Sequence, residues 1–267
     1  KGGDVYASDD DPELVRDALP FALKTLETLL AERPDHSGLL IATSRGFTQY
    51  AYAFVEADAE RLELDDYRAA KAMRDRAVRL YLRARDYGLR ALELESPGIT
   101  DRLRTEPDAA VAIFDRADQV DGLFWTAAAW GAAISAGLDR PELVADIDAV
   151  RAMTRRALEL DDGYERGTIH TVMIGLESLP EAMGGSPERA REHFERAVEL
   201  SGETPAAPYV TYAASAAVPA QDREEFVRLL EAALAIDPDA SPADRLANRI
   251  SQRRARWLLE QVDDLFL

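Results

Sequence analysis

Apolar positions recur every three to four residues along almost the whole chain, the period of a helix with one buried face. Strand-type alternation bounded by turn residues does not occur. The starts of the periodic segments are well marked. Asp11-Pro12-Glu13 places a capping side chain, a proline for the first turn and an early acid in order. Arg140-Pro141-Glu142, Ser186-Pro187-Glu188 and Ser241-Pro242-Ala243-Asp244 repeat the device. The pattern predicts helices over 12–33, 37–58, 66–94, 107–117, 122–137, 141–160, 164–179, 187–200, 207–217, 222–236 and 242–263, with a short turn at 98–105. The links are brief and punctuated by Pro or Gly, which makes neighbours in sequence antiparallel neighbours in space. The fold expected is all-α: a tetratricopeptide-like stack of antiparallel helical hairpins, an α-solenoid of about 11–12 helices. It is expected to form one domain over 1–267. The stretch 95–108, from Glu95-Ser96-Pro97-Gly98 to Glu106-Pro107-Asp108, is the most irregular and is the hinge candidate.

Five helix ends resemble one another. They are Leu26-Glu27-Thr28-Leu29-Leu30-Ala31-Glu32-Arg33-Pro34, Arg90-Ala91-Leu92-Glu93-Leu94-Glu95-Ser96-Pro97, Arg156-Ala157-Leu158-Glu159-Leu160-Asp161-Asp162, Arg196-Ala197-Val198-Glu199-Leu200-Ser201-Gly202 and Ala232-Ala233-Leu234-Ala235-Ile236-Asp237-Pro238. Each places an Ala where a neighbouring helix comes close, a Leu in the packed layer and a stop signal after it. The later copies are spaced more widely than the ~34 residues of an ideal tetratricopeptide repeat, so the repeats are degenerate, with insertions in loops. Arrays of this kind curve, and their concave face binds something.

Composition narrows the reading. Hydrophobic residues make up 47% of 267, ample for a core, and no apolar run approaches the ~18–20 residues that span a bilayer. Acids outnumber Lys and Arg by 50 to 32, a net charge of −18, which repels phosphate backbones and argues against a nucleic-acid partner. With no cysteine there is no disulfide, thiolate nucleophile or Cys-ligated zinc. The chain opens on Lys1-Gly2-Gly3 without Met, as expected of a mature protein whose targeting segment has been removed.

Catalytic signatures are missing: there is no Gly-x-Ser-x-Gly, P-loop or His-Glu-x-x-His. The reading is non-enzymatic, with no cofactor and no metal. Paired acids such as Asp161-Asp162 fall at helix ends, where capping explains them. Gly184-Gly185-Ser186-Pro187 reads as a plain interhelical turn, or as an anion site at the start of a helix. Of three histidines, His36 falls in a turn and His193 on an ordinary surface helix. His170 sits in an apolar run, Thr168-Ile169-His170-Thr171-Val172-Met173-Ile174, and is either a satisfied core histidine or a ligand contact. The C-terminal arginines Arg249, Arg253, Arg254 and Arg256 read as salt-bridge partners of acidic helices, or as an anion site.

Two segments are rich in rings. In Gly46-Phe47-Thr48-Gln49-Tyr50-Ala51-Tyr52-Ala53-Phe54-Val55-Glu56, residues Phe47, Tyr50 and Phe54 share a face. In Gly122-Leu123-Phe124-Trp125-Thr126-Ala127-Ala128-Ala129-Trp130-Gly131-Ala132-Ala133, the Ala face permits tight helix contacts. The two Trp directions differ by about 140°, so they serve two core layers, or one of them lines a cleft. A ligand cavity bordered by Phe47, Tyr50, Phe124, Trp125, Trp130 and His170 is the site expected.

The chain resembles the TatT family, the T component associated with bacterial TRAP transporters. The resemblance rests on Gly46 to Phe54, on Asp121-Gly122-Leu123-Phe124-Trp125-Thr126-Ala127-Ala128-Ala129-Trp130-Gly131, and on Arg253-Arg254-Ala255-Arg256-Trp257-Leu258-Leu259 with Asp264-Leu265-Phe266. It implies a periplasmic lipoprotein that assembles as a homotrimer around a pore. It also implies pairing with the substrate-binding P component of the transporter and handling of a small ligand, hydrophobic or a carboxylate, without catalysis. The acylated cysteine of such a lipoprotein is absent from this chain, so membrane contact through a lipid anchor is implied and not seen. The alternative is a general tetratricopeptide-type protein-interaction adaptor. Such a groove uses a ladder of Asn, Lys and Arg to clamp peptides, and this chain has one Asn (Asn248) and three Lys, which weakens that alternative.

Overall fold

The computed structural model describes residues 3–266; the Lys1-Gly2 start and Leu267 lie outside them. The described residues are helical with no strand. They form two compact units: a central one, Arg16–Asp162, and a terminal one, from the described residues of Lys1–Val15 and Gly163–Leu267.

The short α1 (Gly3–Ala7) precedes α2 (Pro12–Glu32), whose first turn is capped by Asp11 Oδ1, accepting from the N–H groups of Glu13 (3.0 Å) and Leu14 (3.1 Å). In the central unit α3 (Ser37–Tyr50) runs through a π-helical stretch, Ala51–Glu56, into α4 (Ala57–Leu62). Next come α5 (Tyr67–Glu95), α6 (Ile99–Thr105), α7 (Pro107–Val111), α8 (Val120–Ala136), α9 (Pro141–Val144) and α10 (Ile147–Leu160). Paired contacts give the helix directions. Phe47 meets Tyr87, Glu56 meets Tyr81 and Glu63 meets Arg74, so α3–α4 and α5 run antiparallel. Leu92 lies beside Gly122, Gly88 beside Thr126 and Arg85 beside Trp130, so α5 and α8 do too. At Gly88 a methyl group would come within 3.1 Å of the Thr126 Cα, so the absent side chain is what lets these two backbones approach. Helix α8 also packs on α3 and α10, and is buried nearly all round.

The stretch 95–108 lies inside the central unit. It carries α6 and the start of α7, and the Glu93 carboxylate accepts from the N–H groups of Gly98 (2.7 Å) and Thr100 (2.9 Å). Burial raises the carboxyl pKa of Glu93, and the bonds from Thr100 and Gly98 outweigh it, holding it below the ordinary value. Three predicted boundaries are corrected. The helix expected over 107–117 stops at Val111, because the Gln119 side chain takes the N–H groups of Asp115 and Arg116 (3.0 Å each) and shapes a loop there. The helix expected over 141–160 is split, with the tighter Asp146 N–H to Leu143 carbonyl bond at the break. The helix expected from 164 starts at Thr168, because Glu165, Arg166 and Gly167 have left-handed backbones (φ 40°, 56° and 88°).

In the terminal unit α11 (Thr168–Glu177), α12 (Pro187–Ser201), α13 (Ala207–Tyr212), a second π-helical stretch (Ala213–Ala217), α14 (Arg223–Ala235), α15 (Arg245–Glu260) and α16 (Val262–Leu265) surround a core with Phe194, Tyr212, Phe226, Leu229, Leu230, Leu258 and Phe266. Buried polar side chains tie it together. Asn248 Oδ1 accepts from the Ala206 N–H (2.8 Å) and its Nδ2 donates to the Thr204 carbonyl (2.9 Å). Gln252 Nε2 donates to the Ala233 (3.0 Å) and Ile236 (2.7 Å) carbonyls at the end of α14, where helical carbonyls lack partners.

Candidate functional site

Five of the six residues expected at a ligand cavity lie in the central unit, and His170 lies in the terminal one. All five are buried, Trp130 fully and Tyr50 least. Phe124 packs edge-on against Trp125, with centroids 5.0 Å apart, and the Tyr50 and Phe54 rings are tilted against each other at 5.9 Å. The two Trp rings have different neighbours. The Arg45 guanidinium stands 4.8 Å from the Trp125 ring centre. Those of Arg85 and Arg104 stand 5.2 and 5.5 Å from that of Trp130. Such cation–π contacts fix each guanidinium over an apolar surface. The Trp130 indole N–H is buried with no acceptor among the described residues.

Two clefts on this unit stand out among the described residues. The larger, about 590 Å³, is bordered by Ser37, Glu95, Ile113, Phe114, Arg116 and Gln119. Its polar groups already serve one another: Gln119 Nε2 donates to Glu95 Oε2 at 2.6 Å, and the Gln119 carbonyl oxygen holds the loop described above. The second, about 430 Å³, is bordered by Arg79, Leu82, Arg83, Asp86, Tyr87 and Arg90. These residues are spaced along one face of α5. None of the six expected residues is in either wall, but Phe47 stands directly behind the second. Its ring stacks on Tyr87 (6.2 Å, 13° between planes), and the Arg83 guanidinium lies 5.0 Å from its centre.

The second cleft has a built base. Glu27 of α2 accepts from Tyr87 Oη (2.8 Å) and Lys24 Nζ (2.6 Å) and pairs with Arg83. Burial pushes the Glu27 carboxyl pKa up. The hydrogen bonds from Lys24 and Tyr87 and the charge of Arg83 outweigh it and hold the group below the ordinary value, so it stays an anion at neutral pH. Burial and the bond to Glu27 raise the Tyr87 phenol, keeping it a donor. Arg90 Nη2 donates to the Pro34 carbonyl at 2.8 Å. Arg79 has neither a charged nor a hydrogen-bonding partner among the described residues. The cleft therefore offers one uncommitted guanidinium and two held ones beside an aromatic stack, on a chain whose net charge is −18. That arrangement suits a carboxylate head with an apolar body.

Patterning along the chain does not single out α5, although Arg79, Arg83 and Arg90 recur at helical spacing there in an otherwise acidic chain. Nor does it single out His193, whose Nδ1 stands 2.8 Å from that of His170. The Gly184–Pro187 turn is internally satisfied, with Arg189 Nη2 donating to the Gly184 carbonyl at 2.8 Å. Arg249 pairs with Asp239 (3.2 Å) and Arg253 with Glu13, in keeping with the salt-bridge reading of the C-terminal arginines. Among the described residues no helix is long and apolar enough to cross a membrane, and no group of three or more His, Cys, Asp or Glu could hold a metal ion.

Comparison with known proteins places this chain in a family. An uncharacterised protein of Treponema pallidum (strain Nichols) is 33% identical over 267 residues, spanning 98% of this chain and 83% of that protein. The model of the TRAP transporter T-component family matches residues 8–266, including the aromatic segments of α3 and α8 and the arginine face of α5. The chain belongs to the TRAP transporter T-component family.

Proposed function

We propose that the chain is a non-catalytic TRAP accessory protein that binds a small carboxylate with an apolar body and passes it to the substrate-binding P component. The observation that carries this reading is the α5 cleft: Arg79 without a partner among the described residues, Arg83 and Arg90 held in place, and Phe47 and Tyr87 stacked behind them. A guanidinium in such a setting binds a carboxylate through charge-assisted bonds, and the rings add apolar area. Phe124, Trp125 and Trp130 are buried in the same unit, and His170 is buried in the terminal one. On this reading the helices stack as tetratricopeptide-like hairpins of an α-solenoid, and the protein works as a lipid-anchored periplasmic homotrimer. The antiparallel contacts within the central unit and the family membership support that picture.

The test is a fluorescence or calorimetric titration with a series of straight-chain monocarboxylates and short dicarboxylates. Saturable binding is expected, weakened about tenfold in Arg79→Ala, the loss of one charge-assisted contact. Absence of saturable binding across the series, or equal affinity in the variant, overturns the assignment of this cleft.

A further inference from the structure

His170 and His193 come from different helices, α11 and α12, and meet through their Nδ1 atoms at 2.8 Å. Their ring centroids are 5.1 Å apart. That distance exceeds the nitrogen separation by about two ring radii, so the nitrogens face one another head-on along the line between the rings. A neutral imidazole has one ring nitrogen that donates and one that accepts. The contact therefore needs one Nδ1 protonated and the other bare, with a single proton between them. A first added proton goes to an outward Nε2 and leaves the junction intact as a charge-assisted bond. A second would set N–H against N–H and place two cations side by side, one of them on His170, which is only 4% exposed.

The surroundings pin the two helices at a second point. Glu177, seven residues along α11 from His170, is buried and pairs with Arg189 of α12 through bonds of 2.8 Å to Nε and 2.6 Å to Nη2. The order of the two pairs shows that α11 and α12 run antiparallel. Other charged groups on α12 are Glu188, Arg191, Glu192, Glu195, Arg196 and Glu199; Arg196 pairs with Glu199 and Arg191 with Glu225. The elements packed on these helices bring Tyr209 and Tyr212 from α13, and Tyr164, Glu165 and Arg166 from the turn before α11, with Arg166 held by Asp244. The π-helical stretch Ala213–Ala217 brings no titratable group. Beside His193, the Phe194 ring lies against Tyr209 (5.4 Å) and Tyr212 (4.8 Å), so α12 shares an aromatic layer with α13.

We propose that His170 and His193 form a one-proton latch between α11 and α12: a shared proton holds the helices together at neutral pH, and charging both imidazoles in acid releases them and loosens the Phe194–Tyr209–Tyr212 layer. The sign follows from proton counting. The closed pair refuses the second proton that an unfolded chain accepts near the ordinary histidine value of about 6.5. The latch's contribution is thus complete above that pH and is lost as pH falls below it.

The test uses the whole chain, labelled with 15N at histidine, followed by side-chain NMR from pH 8 to 4.5. The pair should take up its protons in two steps more than about one pH unit apart. Amide hydrogen exchange in α11 and α12, corrected for intrinsic rates, should be about tenfold faster at pH 5 than at pH 7.5, with His193→Gln abolishing that difference. A single shared midpoint for the two histidines, or exchange in the native chain that does not respond to pH, overturns the latch. So does an unchanged pH response in His193→Gln. The titration is read on the native chain, so the latch stays open to refutation even where the variant fails to fold.

Discussion

The two units answer the same packing problem differently. In the central unit, long helices approach through small residues and arginine guanidiniums stand over rings: Arg45 over Trp125, Arg83 over Phe47, Arg85 and Arg104 over Trp130. In the terminal unit, shorter helices are joined through buried polar side chains, with Asn248, Gln252, Glu177 and His170 all nearly inaccessible. Its backbone is also less regular. All four left-handed non-glycine residues among those described, Glu165, Arg166, Glu203 and Gln221, belong to it. In the central unit Arg79 stays exposed with no partner among the described residues, whereas the buried amides and imidazoles of the terminal unit spend their bonding capacity inside. The first arrangement suits a ligand face. The second suits a body held together by its own buried polar bonds.

The contrast is broken most severely at its apolar anchors. Trp130→Ala empties a fully buried site under two guanidiniums and is expected to cost about 3–5 kcal/mol in urea unfolding. Trp130→Phe should cost clearly less, since the indole N–H has no acceptor to lose among the described residues. Equal losses in the two variants would show that the N–H does carry a bond. Next in size is Asn248→Ala. It strands the Ala206 N–H and the Thr204 carbonyl in the interior, at a cost of about 1–3 kcal/mol. A neutral Asn248→Ala would mean that the terminal unit is held by its apolar core alone.

These two residues also mark what the sequence discloses. The period of 3.6 and the Pro and Asp caps locate most helices, because both are local signals carried by consecutive residues. Trp130 stands out in its aromatic run for the same reason, but the run leaves open whether its ring serves a core layer or borders a cleft. Asn248 is not: a single Asn on an arginine-rich helix says nothing of a loop more than forty positions away. The breaks inside the segments expected at 107–117 and 141–160 escape for a related reason, since the Gln119 side chain and a tightened turn make them without any Pro or Gly at the break. At the candidate site, Phe47 is legible from its aromatic run. Arg79, Arg83 and Arg90 are hidden by looking ordinary, because surface arginines at helical spacing usually serve solvation. His193 is hidden because only tertiary packing turns its Nδ1 toward His170.

A smaller effect sharpens the contrast through pH. Glu27 has an anionic carboxylate whose folded pKa lies below its ordinary value of 4.5. Its stabilising contribution is therefore present above that value and is lost as pH falls through the lower, folded one. Glu27→Gln should cost about 1 kcal/mol at pH 7, and the gap between variant and parent should close as the pH is lowered through the carboxylate range. Stability curves in urea at several pH values check this. A gap independent of pH would show that shape, and not charge, holds Arg83 and Tyr87.

The smallest stability change is expected at Arg79, and it bears most directly on the comparison. The side chain is exposed and has no partner among the described residues, so Arg79→Ala should leave the unfolding free energy within about 0.5 kcal/mol of the parent. In the terminal unit Arg189 is committed to Glu177, so replacing it removes a buried carboxylate's partner and cannot be silent. If Arg79→Ala is neutral in unfolding yet weakens carboxylate binding, the central unit holds in reserve a charge that its own fold does not use. If instead Arg79→Ala destabilises the protein as an internal ion pair would, the guanidinium belongs to the scaffold, and the division between a ligand-facing unit and a self-satisfied one fails where it was drawn.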